Sequence, residues 1–129
     1  MKKYCSIFVI VFYMLTVGGC ASLADARAAK GTGPFKVYQH DIDIVWAAIV
    51  NIINESDLDL ITENKSKGEI LAQRSMTVFS YGENVAIYIE IITDKESTRV
   101  EINSKKALVT NITAKSWDSY IFQELDNKL

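Results

Sequence analysis

Only one histidine, His40, stands among the 129 residues, so a multi-histidine zinc site is ruled out, although a single His–Asp pair could still form. His40-Asp41-Ile42-Asp43 offers a ring nitrogen and two carboxylates as metal ligands. Neighbours at a strand-to-helix junction converge poorly on one ion, however, and a helix cap explains the aspartates more simply, because a carboxylate accepts from an unpaired first-turn amide. Asp57 and Asp59 alternate along an expected strand but lack the glycine and closing glutamate of a calcium loop, so solvation accounts for them. Neither a metal nor another cofactor is expected. Glu90, inside the apolar run of residues 85–92, is placed where burial could raise a carboxyl pKa and make a general acid, while a water-facing position on an uncovered sheet face is the plainer reading. Arg74 interrupts the apolar face of another strand and is read as an edge or snorkelling cation. No Ser-x-x-Lys, Gly-x-Ser-x-Gly, His-Glu-x-x-His or phosphate-cradling glycine loop occurs, so the expectation is a protein that is not an enzyme.

The remaining reactive side chains are the thiols of Cys5 and Cys20. Lys2 and Lys3 precede an uncharged apolar run of fourteen residues, Tyr4 to Val17, followed by Gly18, Gly19 and Cys20. Fourteen helical residues reach about 21 Å, short of the ~30 Å hydrocarbon core, so the run does not suit a permanent span. It is apolar on every side and has no amphipathic stripe for packing on a small domain. A basic start, a short apolar middle and small residues describe a cleaved secretory signal over residues 1–19. An ordinary cut near Ala21-Ser22-Leu23-Ala24 is the competing processing site.

Leu15-Thr16-Val17-Gly18-Gly19-Cys20 resembles a bacterial lipobox. The resemblance implies a diacylglyceryl thioether on Cys20 and cleavage before it, with Val17 replacing the commoner leucine. Two or three acyl chains, at ~0.8 kcal/mol per buried methylene, would hold the mature protein on a membrane without crossing it. Ala21 and Ser22 lack the aspartate that retains lipoproteins at the inner membrane, so the likeness implies an outer-membrane anchor facing the periplasm. Cys5 would leave with the signal and Cys20 would carry lipid, leaving no disulfide. Loss of Lys2 and Lys3 leaves 12 basic against 16 acidic residues, net −4. With basic residues clustered only at Lys105-Lys106, nucleic acid is not an expected partner. Three Asn-x-Ser/Thr triplets, at Asn54, Asn64 and Asn111, would be glycan acceptors only on a eukaryotic secretory route, which the lipobox argues against.

The elements that position these groups follow from periodicity. Residues 20–33, rich in alanine and glycine, read as a flexible tether spanning roughly 20 Å, and residues 34–129 as a single domain. Phe35 to Tyr38 suits a short strand. Asp41 or Asp43 caps a helix over 42–55, with Ile42, Val45, Ile49, Ile52 and Ile53 on one face. Strands are expected at 57–63, 69–79, 85–92 and 98–103, separated by turns at 65–68, 81–84 and 94–97. Trp117, Tyr120, Ile121, Glu124 and Leu125 mark a second helix near 114–127, with Ser116 as its cap.

That order, β-α-β-β-β-β-α, predicts an α+β domain in which an antiparallel sheet of four to five strands packs two helices on one face. The stretch from Phe35 to Leu125 resembles small bacterial lipoproteins known as a domain of unknown function. The likeness rests on the Phe35-Lys36-Val37-Tyr38 strand, Val45-Trp46-Ala47-Ala48, Lys67-Gly68-Glu69-Ile70 and the Trp117 helix. It implies a fold and an envelope setting, with no catalytic residue to carry over.

Trp46 and Trp117 read as helix-to-sheet anchors. Phe79, Tyr81 and Tyr88 are expected on the open sheet face or at its hairpin end, where aromatic residues can form a partner surface or simply shield a bare sheet. The functional expectation is a membrane-anchored, non-enzymatic module that binds another envelope protein. The alternative is a small-ligand or lipid-binding module using the space between helices and sheet.

Overall fold

The computed structural model describes residues 22–76, 82–92, 96–106 and 116–129. Five strands form one sheet: β1 (Phe35–Tyr38), β2 (Asp59–Asn64), β3 (Glu69–Arg74), β4 (Glu83–Ile91) and β5 (Thr98–Lys106). Their spatial order is β1-β5-β4-β3-β2, with every neighbour antiparallel. Three helices join them: α1 (Leu23–Ala28), α2 (Ile42–Asn54) and α3 (Trp117–Lys128). The α+β class and the antiparallel sheet agree with the sequence reading. The third helix, α1, lies within the stretch read as a tether.

Strand alternation divides the sheet into two faces of different character. Ile70, Ala72, Val85, Ile87, Ile89, Val100 and Ile102 line the inner face and bury α2 and α3 through Val45, Trp46, Ile49, Ile52, Ile53, Trp117, Ile121, Phe122 and Leu125. Each large aliphatic side chain taken from water there contributes about 1.5–3 kcal/mol, and that burial holds α2 helical despite its run of β-branched residues. Asp41 is the α2 cap, accepting from the Asp43 amide at 2.8 Å. Ser116 precedes α3 but makes no side-chain cap bond to a helix amide; its hydroxyl donates to Asp118 instead.

The turn after β2 is a short 3₁₀ segment, Lys65–Lys67, closed by Gly68 at φ 61°. A Cβ on Gly68 would meet the Ile89 carbonyl oxygen at 2.3 Å, and the Gly68 carbonyl itself accepts from the Ile89 amide at 2.8 Å. Glycine is therefore required there for both backbone angle and close approach. Glu83 and Asn84, expected in a turn, are already paired with Arg74 and Gln73 across the β3–β4 ladder.

Candidate functional site

The opposite, outer face of the sheet carries Glu69, Leu71, Ala86, Tyr88, Glu101 and Asn103, all buried because α1 and residues 29–33 lie across it. A six-residue helix has little stability alone, and here one local device and two contacts with the sheet fix it. Ser22 and Asp25 form a reciprocal capping box at its start. Leu23 and Ala26 pack on Leu71, Ala86 and Tyr88. Arg27 then grips Glu69 with two parallel bonds, Nε at 3.1 Å and Nη2 at 2.9 Å.

Glu101 is the centre of this arrangement. Its side chain is 1% exposed, and Arg99 Nη2 lies 3.0 Å from Oε2. Oε1 accepts from the Gly31 amide at 2.6 Å, the Gly33 amide at 3.3 Å and Asn103 Nδ2 at 2.9 Å. Burial pushes the carboxyl pKa up, but the bonds from Asn103, Gly31, Arg99 and Gly33 outweigh it and hold the group below the ordinary glutamate value. The charge thus clamps the segment that links α1 to β1. Chemically the carboxylate is spent on these donors.

Tyr88 belongs to the same layer, and here the structure differs from the surface expected for it. It is 2% exposed, lies beneath α1, and donates its hydroxyl to the Arg27 carbonyl at 2.9 Å. Burial raises the phenol pKa; the Glu69 carboxylate adds to the rise, Arg27 opposes it, and Glu101 adds a smaller push. Lys30 lies 4.9 Å over the Tyr88 ring and 3.4 Å from Glu90. The physical reason is that α1 covers the patch from which Tyr88 would otherwise look out. Phe79, Tyr81 and Cys20 lie outside the described residues.

The other singled-out residues are placed as follows. Glu90 is half exposed on the outer face between Lys30 and Arg99. Arg74 sits on the inner face, 3.6 Å from Glu83 and 3.9 Å from Asp57. The His40 carbonyl accepts from the Thr98 hydroxyl at 2.8 Å, Asp43 pairs with Lys65 at 2.7 Å, and Asp59 accepts from Ser75. These acidic groups lie apart, and among the described residues no cluster of three His, Cys, Asp or Glu side chains is placed to hold a metal ion. Trp117 is buried and donates to Glu83 at 3.2 Å, while the ring nitrogen of Trp46 donates to Glu63. Beside Trp46, an open groove of about 370 Å³ runs along Ala47, Val50, Asn51, Asn54 and Glu63.

Sequence reasoning missed the exposed apolar pair Phe35 and Val37, 57% and 43% exposed on the outer face of β1. Arg99 stacks on Phe35 at 4.3 Å from the ring centroid. β1 bonds to β5 along one side, and no strand among the described residues pairs with its other edge. The opposite edge strand, β2, carries a register irregularity between Leu60 and Thr62, which blunts pairing there. The signal for α1 was present as Ser22-Leu23-Ala24-Asp25, a capping-box pattern without the apolar run that normally follows it. The chain matches no protein-family model and no curated protein.

Proposed function

We propose that the protein is an envelope lipoprotein, acylated at Cys20 and facing the periplasm from the outer membrane, whose domain is a non-enzymatic module that binds another envelope protein along the edge of β1 that no described strand pairs with. The run from Lys2 to Cys20 supports the anchor. The observation that carries the module reading is the pairing of that unpaired backbone edge with the exposed side chains of Phe35 and Val37. An added strand would gain main-chain hydrogen bonds from the edge and selectivity from the alternate side chains. The space between helices and sheet is filled by buried side chains such as Ile49, Ile53, Trp117, Ile121 and Leu125, which favours this reading over an internal ligand site.

Two measurements test it. Intact mass of the mature protein from its native envelope reports acylation, and Cys20→Ser is expected to leave an unprocessed, lipid-free precursor. A photo-crosslinking residue at Val37 is expected to capture a defined partner in intact envelopes, whereas the same residue at exposed Gln123 on α3 is not. Capture at both positions alike, or at neither, refutes the edge as the binding surface.

A further inference from the structure

The position of α1 bears on how the domain would sit on a membrane. Ser22 is the cap of α1 and follows Cys20 by two residues, which span at most about 7 Å when fully extended. The headgroup layer of one leaflet is itself roughly 5–7 Å thick. A chain whose twentieth residue carries lipid therefore has no slack: the start of α1 must lie at the headgroups.

The side-chain partners of α1 give its direction across the sheet. Asp25 feels the charge of Lys105, which pairs with Asn84 at the beginning of β4; Arg27 holds Glu69, opposite Tyr88; Lys30 meets Glu90 near the end of β4. The helix thus runs from the Asn84 end of the sheet toward the Glu90 end. Its first residue points back to the end that carries Lys105 and Met76, which lies against Gly82. Among the described residues Met76 is the most exposed of the large hydrophobic side chains, at 73%, and Lys105 is exposed as well.

We infer that this end of the sheet, with Met76 and Lys105 as contact groups, is a bilayer-facing surface that abuts the phospholipid headgroups, and that the docked α1 fixes the domain's orientation there. The inference rests on the proposed acylation of Cys20. An exposed methionine beside lysine suits an interface of headgroups and acyl chains. The far end, with Gln39 bonded to Ser97, is separated by the length of β4, about 25–30 Å for nine residues, and points into the aqueous space.

The test uses the full chain, processed and lipidated in cells, carrying Met76→Cys or Gln39→Cys as the free thiol. Each is labelled with an environment-sensitive fluorophore and reconstituted into phosphatidylcholine–phosphatidylglycerol vesicles containing brominated lipid. Label at 76 is expected to be quenched roughly threefold more than label at 39, since only the former lies within contact range of the bilayer. A twelve-residue glycine–serine insertion between Ala21 and Ser22 is expected to erase the difference. Equal quenching without the insertion, or a difference that survives it, overturns the fixed orientation. Intact mass of the same samples separates the two readings: acyl mass with equal quenching sinks only the orientation, and absence of acyl mass sinks the anchor itself.

Discussion

Replacing Glu101 with glutamine tests whether one buried carboxylate holds the N-terminal segment on the sheet. Glutamine keeps the shape and one acceptor oxygen. If that oxygen stays with Gly31, Gly33 and Asn103, the new amide group faces Arg99, donor against donor. A hydrogen bond to a charged group is worth about 1.5–3 kcal/mol, and breaking a fully buried ion pair costs roughly 3–5 kcal/mol. Arg99 is a quarter exposed and keeps Glu90 at 3.8 Å, so the charged hydrogen-bond figure applies and not that of a fully buried pair. The expected loss is about 2 kcal/mol, confined first to residues 22–33, which corresponds to roughly 30-fold faster hydrogen exchange at the Gly31 and Gly33 amides. Exchange by mass spectrometry or NMR reads this directly. A change of less than about threefold at these amides would refute the clamp. The pH dependence provides an internal check. The folded pKa lies below the unfolded value of about 4.3, so the stabilisation is present above that value and is lost as pH falls through the folded pKa. Acidification should therefore release the two amides in the native protein, and this response should disappear in E101Q.

Two further exchanges probe the fold. Gly68→Ala places a methyl group against the Ile89 carbonyl at a left-handed backbone position, so a loss of roughly 3 kcal/mol and a fall in Tm of more than about 10 °C is expected; an unchanged melting curve would contradict the required glycine. Trp117→Phe removes a donor to the buried Glu83, whereas Trp46→Phe removes one to the more exposed Glu63. Denaturant titration should rank the first as more destabilising by about 1 kcal/mol, and the reverse order would show that the Glu83 bond does not matter.

Much of this architecture is legible in residue order. The 3.6-residue spacing of Val45, Ile49, Ile52 and Ile53 marks α2, and the alternation through Val85, Ile87 and Ile89 marks the central strand, because both elements bury one continuous face against the same core. Asp41 identifies itself as a cap by chemistry that acts over two residues. The polar outer layer was not legible in this way. Glu69 and Glu101 stand among residues of mixed polarity, and nothing in their local pattern says that Arg27, 42 positions before Glu69, or Gly31, 70 positions before Glu101, will reach them.

Tyr88 shows the same division. Its strand and its parity follow from sequence, but whether that face meets water depends on a short helix lying across it. Residues 23–28 lack the length and the apolar stripe that would make a helix in isolation, so their order comes from contacts made after the sheet exists. The sequence by itself therefore determined the order of the five strands with α2 and α3, the inner core, and the placement of a thiol after an apolar run. Tertiary structure alone decided that residues 23–28 form a docked helix, that Tyr88 is covered, and that Phe35 and Val37 stand exposed on a strand whose other edge no described strand pairs with. Local periodicity records which face of each element is apolar; partners brought together by long-range pairing decide which polar groups are satisfied and which apolar ones stay bare.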